Sequence, residues 1–143
     1  GRLERLMEAG YLAGVAASNC SVGVVHAFAH SMARWGLGHA HANALGLRAG
    51  LRLNQHAPSF ATLTDRLRCS PAELDAQLEV LLRPALVLEA PIRAVLSTPS
   101  ERARLIALMA ADVCMRTNPV APDTAALEDF VQSVVETVDR SPS

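Results

Sequence analysis

The stretch that decides the fold runs from residue 21 to residue 35 and reads SVGVVHAFAHSMARW. Its apolar residues fall on every side of a helix, and a helix without a polar face is normally buried in the centre of its domain. The sequence therefore predicts a central helix from about Ser21 to Trp35. The Gly36-Leu37-Gly38 segment that follows should end it, because glycine is a poor helix former.

Helices are also expected on both sides of this central segment. Apolar residues recur at three- and four-residue spacing between about residue 2 and residue 18, which indicates a first helix. A third helix should run from about His41 to Asn54, and Pro58 indicates the connection that follows it.

Later helix starts can be predicted from capping residues. Ser70-Pro71-Ala72-Glu73 and Thr98-Pro99-Ser100-Glu101 each place a hydroxyl at the N-cap, a proline at the first helical position and a glutamate at the third. Between them, a turn and a short helix are expected from Arg83 to Thr98. The amphipathic pattern after Asp123 predicts a final helix from about Thr124 to Asp139.

The composition indicates an all-α protein with a single domain over residues 1–143. Half of the 143 residues are hydrophobic and 19% are charged, which is enough apolar material for a core. Aromatic residues, which favour strands, make up only 3%. We therefore expect a compact bundle of about six to eight helices.

Charge, hydropathy and cysteine spacing argue against nucleic-acid binding, membrane insertion and a cysteine metal site. A formal net charge of -1 provides no basic surface, so nucleic-acid binding is not expected. The sequence contains neither an apolar stretch of membrane-spanning length nor a signal-peptide pattern, so we predict a cytoplasmic protein without membrane contact. Cys20, Cys69 and Cys114 are too widely spaced for a metal-binding pair, and reduced, buried thiols are expected.

Four of the five histidines lie within sixteen residues, at His26, His30, His39 and His41. His26 and His30 are four residues apart and share one face of the predicted central helix. Their apolar surroundings leave two interpretations open: core histidines that hydrogen-bond to neighbouring groups, or a metal or proton-relay site. His39 and His41 cannot both face the first pair, so we expect at most one to join it and the other to be solvated.

Several segments of the sequence resemble the helical C-terminal half of the iron-containing (group III) alcohol dehydrogenase family. They are AGYLAG at 9–14, GVVHAFAH at 23–30, HAHANAL at 39–45 and RLN at 52–54, and TNP at 117–119 resembles the asparagine-proline element before the last helix of the family. The alanine after His39 resembles the maleylacetate reductase branch. The implied fold is the helical C-terminal domain of iron-containing alcohol dehydrogenases, of the dehydroquinate synthase-like type.

The resemblance also implies roles for three histidines. His26 and His39 match two of the four ligands to a catalytic divalent metal, iron or zinc, in the family. His30 matches the histidine beside the nicotinamide that takes part in proton transfer or positioning, so it is the candidate catalytic residue. Such a metal would polarise a carbonyl for hydride addition. No role follows for His41.

The sequence also departs from the family pattern. The other two ligands of the family form a D-x-x-x-H pair, and no aspartate here has a histidine four residues later. The glycine-rich phosphate-binding segment of the N-terminal nucleotide-binding domain is absent, so we expect NAD(P) not to be bound by this chain alone. Two or three imidazoles should hold a divalent ion only weakly. Arg48-Ala49 replaces the proline-histidine of the family.

Three functions remain open. The chain could be the helical metal-site half of an NAD(P)H-dependent carbonyl reductase that acts only with a nucleotide-binding half. It could instead be a stand-alone derivative that uses the His26/His30/His39 pocket for non-redox catalysis or small-molecule binding. A structural, accessory role is the third. An apolar face next to the histidines leads us to expect a homodimer or a complex with a nucleotide-binding subunit.

Overall fold

A computed structural model of the chain describes residues 1–85, 87–88 and 90–139. Within these residues the chain forms eight α-helices and no β-strand, which confirms the predicted all-α class. The helices are α1 Arg2–Cys20, α2 Val24–Met32, α3 His39–Leu53, α4 Pro58–Leu67, α5 Pro71–Leu82, α6 Ala90–Ser97, α7 Pro99–Ala111 and α8 Thr124–Asp139. Short 3-10 helices cover Ala33–Trp35, Arg83–Ala85 and Val113–Thr117.

Helix α2 lies at the centre of the helical body, as its all-round apolar sequence predicts. It packs against α3 on one side and α7 on another, and α8 closes the core against α3 and α7. Phe28 is completely buried, and its ring meets that of Phe130 edge to face at a centroid distance of 5.5 Å. The helix begins at Val24, three residues later than predicted, because the distant Asn118 side chain accepts the Val24 N–H.

Helices α2 and α3 approach closely because α3 presents glycines to α2. A Cβ atom on Gly50 would lie 2.3 Å from Val25 Cγ2, and one on Gly46 would lie 3.1 Å from the Phe28 ring. Helix α3 begins at His39 and not at His41, since the Gly38 carbonyl already accepts the Ala42 N–H. This close packing brings the first turn of α3 beside the histidines of α2.

Both helix starts predicted from capping residues are confirmed, but only one of them has the expected side-chain hydrogen bond. At α5, Ser70 Oγ accepts the Glu73 N–H and the Glu73 carboxylate accepts the Ser70 N–H, as predicted. Helix α7 begins at Pro99 as predicted, but the Thr98 side chain makes no capping hydrogen bond. The predicted connection at Pro58 is wrong, because Pro58 is the first residue of α4.

Helix α1 confirms the predicted first helix, but it lies outside the core. It contains no buried residue, and Leu6, Met7 and Tyr11 are each about two-thirds exposed or more. No single helix among the described residues is long and apolar enough to cross a membrane. Helix α1 and the segment Val24–Trp35 together have the length and composition of a membrane span, but the two are bent by 100° relative to each other.

Candidate metal centre

Three of the four clustered histidines come together at the junction of α2 and α3. His26 and His30 lie one turn apart on α2, and His39 is the first residue of α3. The ring centroid of His39 is 5.1 Å from that of His26 and 5.3 Å from that of His30, and the two α2 rings are 6.1 Å apart. The structure thus places His39, and not His41, beside the α2 pair.

The His26 and His39 rings have a separation that suits one shared metal ion. Two imidazoles bound to a tetrahedral ion at about 2.1 Å place their ring centroids about 5 Å apart. The observed 5.1 Å, with the rings tilted by 59°, agrees with this value. His30 instead stacks on His39 at 26°, and in-plane lone pairs of stacked rings do not converge on one point.

Charge and hydrogen bonding also leave the His26 ring suited to bind a cation. Burial, and then the neighbouring His39 and His30 rings, lower the pKa of His26 below its ordinary value, although Asp112 acts in the opposite direction. A neutral imidazole keeps a lone pair for a metal. Within the described residues no hydrogen bond engages the ring of His26 or His39.

An orphaned polar atom lies close to this pair. Asn43 is one turn after His39 on α3, so the two residues share a face of that helix. Its Oδ1 atom is buried and has no hydrogen-bond partner within the part of the chain that the structure describes. Buried acceptors are normally satisfied, so this oxygen is an unpaired polar atom on the helix that carries His39.

His41 lies on a different side of α3, and the prediction that it is solvated is wrong. It is half-buried, and its Nε2 atom lies 2.6 Å from the carbonyl oxygen of Ala85. It also lines a cleft of about 570 Å³ together with Trp35 and Leu88. Because residues two apart point in different directions on a helix, this cleft does not open onto the His26/His39 pair.

Two residues from a distant part of the chain also reach the histidine cluster. Helix α7 ends at Ala111, and the 3-10 helix Val113–Thr117 then packs against α2. Asp112 Oδ2 lies 3.0 Å from His30 Nδ1, and Cys114 Sγ lies 3.8 Å from the same nitrogen. No sequence motif connects these residues to the histidines, since more than eighty positions separate them from His30.

Asp112 and Cys114 each change the pKa of the other. Burial acts to raise the pKa of Asp112, but hydrogen bonds from the Cys114 backbone, the Cys114 thiol and His30 outweigh it and lower that pKa. Burial, and then the Asp112 carboxylate, raise the pKa of the Cys114 thiol to about 11. Cys114 is therefore a buried thiol, as expected, whereas Cys20 is exposed and Cys69 is half-buried, contrary to expectation.

One comparison with known proteins identifies a relationship. The sequence model of the Fe-containing alcohol dehydrogenase family, C-terminal, matches residues 2–135. No curated protein and no solved structure matches the chain. The matched range covers all four clustered histidines as well as Asp112 and Cys114.

Proposed function

Because this chain belongs to the Fe-containing alcohol dehydrogenase family through its C-terminal domain, we propose that it is the helical metal-site half of an oxidoreductase of that family. The activity would be NAD(P)H-dependent reduction of a carbonyl, carried out together with a nucleotide-binding half. The observation that carries the proposal is the His26/His39 pair, with two unbonded imidazoles held 5.1 Å apart at the start of α2 and α3.

His26 and His39 would hold an iron or zinc ion in this function. When bound, the ion supplies a Lewis acid that polarises the substrate carbonyl. The pair amounts to two ligands, and catalytic zinc sites use three protein ligands. The remaining ligands would come from the complementary half.

His30 has a position suited to proton transfer. Its side chain is 44% exposed, and Asp112 accepts a hydrogen bond from its Nδ1 atom. The carboxylate orients the ring, which is the usual arrangement around a general acid-base histidine. His30 would therefore hold a proton beside the metal ligands.

The exposed helix α1 supports the need for a partner. Its apolar side chains are uncovered along its whole length, and α1 leads directly into the turn before His26. Apolar surfaces of this kind usually mark an interaction site. The partner would be a nucleotide-binding half or a second copy of this chain, and sedimentation at several concentrations would separate the two: self-association in the purified chain indicates the homodimer.

Metal titration tests the proposal. Calorimetric titration with Fe²⁺ under anaerobic conditions should show weak binding in the wild-type chain, because two imidazoles leave most coordination positions to water. His26→Ala and His39→Ala should each remove this weak binding, and any binding that remains should come from groups outside the pair. His56→Ala is the matched control, since His56 is exposed and lies after α3, and it should leave the binding unchanged.

Two results would change the assignment. Equal Fe²⁺ binding by the wild type and by His26→Ala would show that the pair holds no metal. The His30–Asp112 hydrogen bond would then favour the second candidate, a stand-alone module that uses this pocket for acid-base chemistry without redox activity.

A further inference from the structure

A second group of metal-ligating atoms meets beside the His26/His39 pair. One atom each from His30, Asp112 and Cys114 lies within 4.8 Å of the other two. The histidine comes from α2, whereas the carboxylate and the thiol come from the turn after α7, and the packing of that turn on α2 holds the three together. This group uses neither His26 nor His39.

The geometry excludes a Cys-His-Asp relay. In such a relay the nucleophile and the carboxylate bind opposite nitrogens of the histidine, so that the ring passes a proton between them. Here Asp112 Oδ2 and Cys114 Sγ both approach Nδ1 of His30, at 3.0 Å and 3.8 Å. The carboxylate oxygen and the sulfur therefore lie at the same ring nitrogen, as ligands that share one metal ion would.

The turn after α7 holds the carboxylate in a fixed orientation for this purpose. Asp112 caps the 3-10 helix: its Oδ1 atom accepts the backbone N–H of Cys114 at 2.8 Å, which directs Oδ2 toward His30. Ligand atoms around a tetrahedral zinc ion lie about 3.3–3.8 Å apart. The two observed separations from His30 Nδ1, 3.0 Å and 3.8 Å, lie close to this range, and all three atoms lie within 4.8 Å of one another.

The donor set and the exposure point to a thiophilic ion with an open position. Imidazole nitrogen, carboxylate oxygen and thiolate sulfur are the three zinc ligand types, and thiolate disfavours magnesium, calcium and manganese. Cys114 is buried, whereas the His30 side chain is 44% exposed, so an ion can enter from the His30 side. That side would also hold water in the fourth position.

We propose that His30 Nδ1, Asp112 Oδ2 and Cys114 Sγ form a second metal site that binds Zn²⁺ or a similar thiophilic cation. On binding, the thiol proton passes to solvent, and the His30 proton moves from Nδ1 to Nε2. The two negative charges of the site then balance the charge of the ion. Nε2 becomes an N–H donor, which fixes the tautomer that His30 presents to its surroundings.

Cobalt spectroscopy tests the site, because a Co²⁺ ion bound by a thiolate has a charge-transfer band in the near ultraviolet that imidazole ligands do not produce. The titration uses a chain with Cys20→Ser and Cys69→Ser, so that Cys114 is the only thiol. The band should appear at one equivalent of Co²⁺ and should be displaced by Zn²⁺. Adding His30→Ala should weaken binding at least about tenfold, and adding His26→Ala should leave the band unchanged.

The outcomes separate this site from the proposed function. No charge-transfer band in the chain that keeps only Cys114 would overturn the proposal, as would a band that His30→Ala leaves intact. Loss of the band in His26→Ala would overturn the claim of two sites. Because Cys114 is buried and its replacement can disturb folding, the exposed His30 serves as the decisive variant. Asp112→Asn, which keeps the cap but loses the charge, should also weaken Co²⁺ binding.

Discussion

The ion-pair network between α3 and α5 allows a prediction whose magnitude follows from the structure. The buried Arg48 guanidinium binds Asp75 with two hydrogen bonds, from Nε at 2.9 Å and from Nη2 at 2.7 Å. Its Nη2 also donates to Glu79, and Arg52 donates to the same Asp75 oxygen. Arg48 thus connects the helix carrying His39 to α5.

The pKa of Asp75 sets the size of the expected effect. The hydrogen bond from Arg48, and then those from Arg52, lower this pKa from 3.8 to about 2 against the opposing effect of burial. A difference of this size corresponds to about 2.4 kcal/mol. Because the side chain is 32% exposed, solvent screening reduces the stabilisation to about 1–2 kcal/mol.

The sign follows from the direction of the shift. A folded-state pKa below the unfolded value stabilises the fold fully above the unfolded pKa, and this stabilisation is lost as the pH falls from about 4 to about 2. Asp75→Asn removes the charge at every pH. It should therefore lower the free energy of unfolding near neutral pH by about 1–2 kcal/mol, and should flatten its fall over that acidic interval.

Urea unfolding followed by circular dichroism, repeated from neutral to acidic pH, would measure both effects. Asp65→Asn on the exposed face of α4 is the matched control, and its unfolding free energy should stay close to that of the wild type. If Asp75→Asn unfolds at the same urea concentration as the wild type, or follows the same acid dependence, the network does not stabilise α3 in the way described.

Two further predictions concern the packing of α2. Gly50→Ala would place a Cβ atom 2.3 Å from Val25 Cγ2 and should destabilise the fold by about 1–3 kcal/mol in thermal melts. Gly10→Ala on exposed α1 is the control, because the new methyl group meets nothing there and should not destabilise the fold. Equal melting temperatures for Gly50→Ala and the wild type would refute the close approach of α2 and α3. Asn118→Ala leaves the Val24 N–H without its acceptor and should cost about 1–3 kcal/mol and speed amide exchange at the start of α2. Unchanged exchange there would contradict this capping role.

Helix positions could be predicted where the sequence carries a local signal. The final helix matches its predicted limits because its apolar stripe and its polar face both begin and end with the element. Helix α4 was missed because Ala57 stands at its N-cap and offers no side-chain acceptor, so only Pro58 at the first position marked the start. A proline after an apolar residue is equally typical of a connection.

The candidate site could be predicted only in part, for a related reason. His26, His30 and His39 lie within fourteen residues, so helical periodicity and the family motif were enough to associate them. Asp112 and Cys114 join them through the packing of the turn after α7 on α2, and no spacing rule connects residues so far apart. His41 was misplaced because a backbone carbonyl in the Arg83–Ala85 turn is a partner that the sequence does not reveal.

The exposure of the histidines bears on how the two proposed metal sites would differ. At the second site two of the three ligands, Cys114 and Asp112, are largely enclosed by this chain, and only His30 is exposed. His39 is exposed at the first turn of α3, and its partner His26 is only half-buried. A surface that covers α1 would adjoin the turn before His26. The first site should therefore gain affinity when the complementary half binds, whereas the second should not. Repeating the Fe²⁺ and Co²⁺ titrations with that half present would show whether the gain is confined to the His26/His39 pair, and an equal gain at both sites would refute this distinction.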